Sequence, residues 1–161
     1  MIVTPQDRRT AFIELPPRGR TIFFHNDHNY ERYYINFPQL SFQIEHWQST
    51  EPPEVNYSGL KALKTQDSYP FFPNMSLKDK SFCLGSNYYA ENVDELCNKV
   101  MEEFWSTSFY WAPALSYELN LKDLFVDAAQ AHKLLNFDVK DGLIHIYDGN
   151  YPVRSYRIPR L

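Results

Sequence analysis

Glycine, cysteine and clustered positive charge are all scarce in this 161-residue chain, and each shortage excludes a class of function. The five glycines stand singly, so the chain has no glycine-rich loop of the kind that holds phosphate groups. The basic residues are scattered and the formal net charge is −4, which argues against binding nucleic acid through its phosphates. Two cysteines are too few for a disulfide framework in a chain of this length.

Long apolar runs are also missing. No segment approaches the ~20 consecutive apolar residues that a membrane helix needs, so we expect no membrane partner. Residues 1–9 lack the apolar core of a signal peptide. We therefore expect a cytoplasmic protein with reduced thiols, although Cys83 and Cys97 could be bridged in an oxidising compartment. The length fits a single domain spanning residues 1–161.

Aromatic residues, by contrast, are abundant, at 17% of the chain with 12 Tyr, 12 Phe and 3 Trp. Tyr and Trp bury a large apolar body but need a partner for their polar tip. The composition predicts either a core edged with tyrosine hydroxyls or an aromatic surface that contacts other proteins.

The order of patterns predicts an α+β fold: an antiparallel sheet meander, then one or two helices packed on it, and a C-terminal β-hairpin. Residues 40–45 alternate apolar and polar side chains, as a half-buried strand does. Asn92, with Glu95 three residues later, predicts the start of a helix, and a second helix is expected over 121–135. The hairpin is expected over 137–158, where Asp141-Gly142 predicts a tight turn.

Cys83 is the strongest candidate for chemistry. A thiol can carry an acyl group as a thioester, and the side-chain amide of an asparagine can donate a hydrogen bond to the oxyanion that forms during transfer. Pro73-Asn74 lies a short turn upstream of Phe82-Cys83-Leu84. The alternative is structural, since free cysteines are often buried as small hydrophobic residues and Asn commonly follows Pro in turns. Cys97 falls on the apolar side of the first helix and is expected in the core.

These segments resemble the ubiquitin-conjugating enzyme family. Phe72-Pro73-Asn74 stands where that family has His-Pro-Asn, and Phe82-Cys83-Leu84 stands where it has Ile-Cys-Leu. Within that family the chain resembles more closely the bacterial and phage-associated relatives, such as the B protein of the PRTRC system. The positions that carry this likeness are Pro73-Asn74, Cys83-Leu84-Gly85-Ser86-Asn87 and the run from Glu103 to Phe109. The resemblance covers roughly residues 40–109.

The resemblance implies a ubiquitin-conjugating-like fold and a matching activity. Cys83 would accept a ubiquitin-like protein from an activating enzyme, and Asn74 would support the oxyanion during transfer to an amine. Asp79 or Asp67 would orient or deprotonate the acceptor. The exchange needs no metal and no organic cofactor.

Other interpretations stay open. The protein could be a non-catalytic interaction or structural module, such as a component of a phage or viral assembly, with partners bound through its aromatic residues. A thiol hydrolase would need a histidine base, yet His132 and His145 have the pattern of structural residues. The run His25-Asn26-Asp27-His28 is short for a metal site and is better explained as a solvated turn.

Overall fold

Strands dominate the protein, so the predicted α+β class is wrong. The computed structural model describes residues 1–26, 29–107, 109–110 and 119–157. Of the described residues, 51% are in strands and 17% in helices, and they form thirteen strands in three sheets with two helices. Its overall form is a curled antiparallel half-barrel rather than the ubiquitin-conjugating-like α+β arrangement that the resemblance implied.

The elements follow one another in this order: β1 (Ile2–Pro5), β2 (Thr10–Leu15), β3 (Arg18–Asn26), β4 (Asn29–Phe37), β5 (Leu40–Gln48), β6 (Val55–Ala62), β7 (Tyr69–Pro70), β8 (Ser81–Phe82), β9 (Tyr89–Ala90), α1 (Val93–Ser106), β10 (Phe109–Tyr110), α2 (Leu119–Gln130), β11 (Asn136–Lys140), β12 (Leu143–Asp148) and β13 (Tyr151–Arg157).

The three sheets are built mainly from antiparallel neighbours. The largest has the strand order β1-β2-β5-β6-β8, with β9 also paired to β6. The second joins β3 and β4 as a long ribbon, and β10 adds to β3 in parallel. The third has the order β13-β12-β11-β7. The expected terminal hairpin over 137–158 is thus part of a larger sheet, in which β11 and β12 pair around Asp141-Gly142 and β13 follows as a third strand.

The alternating pattern at residues 40–45 predicts β5 correctly, with Leu40, Phe42 and Ile44 buried and the residues between them partly or fully exposed. The structure contains more strand than the sequence predicted. Much of the additional strand lies in β3 and β4 and in four strands of two residues each. A two-residue strand is too short to show a period-two pattern, because that pattern needs four or more residues.

Helix α1 begins where the capping pattern predicts. The Asn92 side chain accepts a hydrogen bond from the backbone N–H of Glu95 at 2.9 Å. One face of the helix is buried, and it includes Leu96, Cys97 and Phe104. This face anchors the helix on the sheet.

Helix α2 ends earlier than the predicted residue 135. His132 adopts a left-handed conformation with φ of 63°, and the N–H groups of His132 and Lys133 bond back to Ala129 and Ala128 at 3.0 and 2.9 Å. This paired closure is a Schellman motif, which terminates a helix. The sequence does not indicate this motif, because His132 occupies the left-handed position where glycine is usual.

A cluster of seven aromatic side chains, here called the Phe72 cluster, fills the centre of the core. Its members contact one another with ring centroids 4.9–6.4 Å apart and are Phe37, Phe42, Phe72, Phe82, Phe104, Trp105 and Phe109. They come from strands of two sheets, from α1 and from the segment before Pro73. The cluster therefore joins the sheets, the helix and the predicted site segment. Neither described helix is long and apolar enough to cross a membrane.

Replacing Phe72 should test the importance of this cluster. Phe72 is fully buried and contacts six aromatic rings. Phe72→Ala should therefore lower the free energy of unfolding by about 3–5 kcal/mol, measured by urea denaturation. Phe23→Ala is the matched control, because Phe23 is 40% exposed and its loss should cost well under half as much. Equal effects of the two substitutions would show that the cluster does not hold the fold together.

Candidate functional site

Cys83 lies just after a turn formed by residues 76–81, and buried core residues fix both ends of that turn. Phe71 and Phe72 are fully buried before the turn, and Phe82 is buried immediately before Cys83. Between them Met75 and Phe82 form an antiparallel bridge, and the Ser76 N–H donates to the Ser81 carbonyl at 2.9 Å. Cys83 itself is exposed to solvent. The structural alternative for this thiol, burial in the core, is therefore not what the structure has.

The register of this bridge brings the backbone of Asn74 towards that of Cys83. In an antiparallel pair, the residue before one partner faces the residue after the other, and Asn74 and Cys83 hold these flanking positions on either side of the single bridged pair. Met75 and Phe82 point into the core, and side chains alternate between the two faces of a strand. That alternation does not extend to Asn74, because Asn74 lies in a turn and Phe72 and Pro73 before it are both buried.

The Asn74 side chain is half-buried. Its amide oxygen is buried and has no hydrogen-bond partner among the described residues. A buried polar atom without a partner carries a desolvation cost, and native structures usually keep such groups few. The same segment thus holds an incompletely bonded amide and, after the turn, an accessible thiol.

Asp79 lies in the turn between the two halves of the bridge. The Ser81 hydroxyl donates to its carboxylate at 2.8 Å, and the Ser81 N–H at 3.4 Å. Hydrogen bonds from the side chains of Ser81 and Ser76 lower the pKa of Asp79. The carboxylate therefore stays ionised and is a weak base, suited to attracting a cation rather than to removing a proton.

A groove of about 450 Å³ runs beside Cys83 and Asp79 between β5, β6 and β8. Its lining includes Glu45, Gly59, Lys61, Asp79, Ser81 and Cys83, whereas Asn74 is not part of it. The structure thus brings Cys83 and Asp79 into one groove but does not bring Asn74 into it. Asp67 is not among the residues that line the groove.

Sequence reasoning missed Glu45 and Tyr57. Glu45 precedes a bulge in the β5–β6 pairing, and its carboxylate lies over Gly59, the residue with which it pairs. Burial raises the pKa of Tyr57 to about 12, with smaller contributions from Tyr88, Cys83 and Glu45. Tyr57 therefore keeps its proton at neutral pH and is a potential donor near the thiol. Only the alternation of β5 could have indicated that Glu45 faces outward.

None of the described histidines lies in the groove. The Nδ1 atom of His132 is 2.7 Å from the Tyr34 carbonyl oxygen, and that of His145 is 2.8 Å from the Ser155 hydroxyl. His46 is buried, and burial lowers its pKa. The described part of the groove therefore contains no histidine that could serve as the base of a thiol hydrolase.

Asp27 and His28 of the run considered for a metal site lie outside the described residues. The part of the chain that the structure describes has no group of three potential metal ligands. The His25 ring is stacked on that of Tyr30, with centroids 4.6 Å apart.

A larger cleft of about 540 Å³ lies between the β4–β5 turn, residues 65–70, the end of α2 and the β12–β13 turn. It contains none of the predicted site residues. The buried Thr65 hydroxyl beside it has no hydrogen-bond partner in the described residues, while Lys133 and Asp148 form an ion pair at 3.2 Å.

Comparison of the chain with protein-family models, curated proteins and solved structures found no match.

The two cysteines should differ sharply in reactivity. Cys97 is fully buried, as predicted, and burial raises the pKa of its thiol to about 12. Because the thiolate is the reactive form, Cys97 should be inert in the folded protein, whereas the exposed Cys83 should react. Native protein treated with Ellman's reagent should release one equivalent of thiol product rapidly, and the second only after denaturation.

Cys83→Ser is the control, and it should abolish the rapid phase. Rapid labelling of both thiols, or of neither, would contradict the exposure of Cys83 and the burial of Cys97.

Proposed function

We propose that the protein carries an acyl group on Cys83, accepting a ubiquitin-like protein as a thioester and passing it to an amine. The observation that supports this most is the exposed Cys83 thiol, which directly follows the bridge between Met75 and Phe82 that draws the backbone of Asn74 towards it. The proposal rests on this local arrangement and not on the overall fold, which is mostly β. The partners would be a ubiquitin-like protein and the activating enzyme that supplies it as a thioester.

The first step is thioester exchange. The Cys83 sulfur, as thiolate, attacks the carbonyl carbon of the incoming thioester. A new carbon–sulfur bond forms, the old one breaks, and the donor thiol leaves as a thiolate that takes up a proton from water. No electron is gained or lost, so the exchange needs no redox cofactor and no metal. A reducing compartment such as the cytoplasm would keep the thiol free.

The second step transfers the acyl group to nitrogen. An unprotonated amine attacks the Cys83 thioester, the carbonyl oxygen becomes negative, and collapse of the intermediate expels the Cys83 thiolate while the amine loses a proton to solvent. Asn74 would donate its amide N–H to that oxyanion, a contribution typically worth about 10²–10³ in rate. Asp79, held ionised by Ser81, would attract the ammonium form of the acceptor into the groove.

A small-molecule assay tests both steps without the natural partners. The protein is mixed with a short glycine-terminated peptide thioester, and a peptide adduct on Cys83 is followed by intact mass. Free lysine is then added as the acceptor. The wild type should transfer the peptide to lysine faster than a matched N-acetylcysteine thioester does, because a positioned amide stabilises the oxyanion.

Variants separate the roles of the residues. Cys83→Ser should form no thioester, whereas Asn74→Ala should still load but should transfer about 10²-fold more slowly. Asp79→Asn should still load the peptide onto Cys83, but its transfer rate should depend less on whether the acceptor amine carries an additional positive charge. Transfer no faster than that of the N-acetylcysteine thioester, with Asn74→Ala equal to the wild type, would overturn the proposal.

A second candidate function is a non-catalytic role in a protein assembly, and one surface favours it. The outward face of the β10-β3-β4 sheet carries exposed aromatic side chains in adjacent rows. Tyr110, His25 and Tyr30 form one row, and Phe23 lies beside Arg32 in the next. Tyr30 is 70% exposed, and Phe23 and Tyr110 are each 40% exposed. Aromatic residues and arginine are enriched where proteins bind one another.

An assembly role predicts self-association through this face. The sedimentation coefficient should then rise with protein concentration, and Phe23→Ser combined with Tyr30→Ser should suppress the rise. Trp47→Ser is the control, because Trp47 is 51% exposed but lies on β5, in a different sheet. A concentration-independent coefficient in the wild type would count against self-assembly.

A further inference from the structure

Strand β13 forms one edge of its sheet. Within the described residues it pairs with β12 alone, so the other side of its backbone has no strand partner. Six of its seven side chains are exposed and only Tyr156 is half-buried. An edge strand presents a row of N–H and C=O groups that can pair with another extended chain.

The first part of β13 is protected against such pairing, but the last part is not. The register shifts between Ile146 and Tyr147, which leaves Val153 as an extra residue after Pro152. Bulges and prolines are devices that block the addition of a further strand. From Arg154 to Arg157 the pairing with β12 is regular. The available edge is therefore this four-residue stretch.

The charge of this stretch is positive on both faces. Arg154 and Arg157 are three positions apart, so their side chains lie on opposite sides of the strand. The Arg154 guanidinium donates to the Tyr156 hydroxyl at 3.1 Å and lies 5.5 Å from the centre of that ring. No carboxylate in the described part of the chain forms an ion pair with either arginine. Both cations thus remain available to an incoming chain.

The same charges disfavour a second copy of this protein as the partner. An antiparallel register that overlaps residues 154–157 of two copies sets Arg154 directly against Arg157 of the other copy, and does so twice. Like charges directly opposite one another destabilise a sheet. A partner with carboxylates at these positions would instead gain two opposite-charge pairs.

From these observations, we propose that the β13 edge binds an acidic, extended peptide segment of another protein by strand addition. Backbone hydrogen bonds to residues 154–157 supply the pairing, and carboxylates on both faces of the peptide meet Arg154 and Arg157. This interaction is independent of the chemistry proposed for Cys83.

The test uses a fluorescein-labelled eight-residue peptide of alternating Asp-Val and Val-Asp pairs, which puts carboxylates on both faces, and the same peptide with Lys in place of Asp. Fluorescence anisotropy should show saturable binding of the acidic peptide only. Arg154→Glu combined with Arg157→Glu should weaken that binding by about tenfold or more. Arg8→Glu combined with Arg9→Glu is the matched control, because both arginines are exposed and the change of net charge is the same.

Amide hydrogen exchange separates strand addition from simple charge attraction. Bound peptide should slow exchange within residues 154–157 and leave the aromatic face of β3–β4 unchanged. The proposal is overturned if the acidic peptide does not bind, if both double variants weaken binding equally, or if binding protects no amide of β13. A stable dimer that buries β13 would overturn it as well.

Discussion

The packing of aromatic rings around Phe72 is the constraint on which the other features depend. Phe72 lies one residue before Pro73-Asn74, and Phe82 lies one residue before Cys83. Their ring centroids are 5.6 Å apart, and both rings contact Phe104 of α1. Each buried ring therefore fixes the backbone next to a residue of the candidate site. Packing of buried rings at both ends and the hydrogen bonds of Asp79 to Ser81 together hold the turn between these residues.

The same core creates two very different thiols in one short segment of chain. Cys97 is part of the buried face of α1, and burial raises its pKa, while Cys83 lies just beyond the last buried ring of β8. The groove beside Cys83 carries the carboxylates of Glu45 and Asp79 against the one ammonium group of Lys61 in its described lining, so its charge favours a cationic group over an anionic one. The aromatic surface and the β13 edge lie on the other two sheets, so contact with partners and chemistry at Cys83 would use different parts of the molecule.

Sequence patterns predicted the elements that leave a long local signal and failed where the signal is short or distant. The alternation at residues 40–45 predicted β5, and Asn92 predicted the start of α1. The fold class was wrong because two-residue strands show no periodicity and depend on neighbours far along the chain. The end of α2 was misplaced because His132 takes the left-handed conformation usual for glycine. Glu45 was missed because strand pairing, not sequence proximity, brings it towards Cys83.

The proposed transfer depends on the proximity of Asn74 to Cys83, and an engineered crosslink measures that proximity most directly. With Asn74→Cys, mild oxidation should join the introduced thiol to Cys83, because residues opposite one another in an antiparallel pair lie within disulfide range. Intact mass should show the loss of two hydrogens, with Cys97 still reduced. Ser76→Cys is the control and should leave Cys83 free, since Ser76 lies opposite Ser81. An Asn74→Cys protein whose thiols all stay free under the same oxidation would contradict the account.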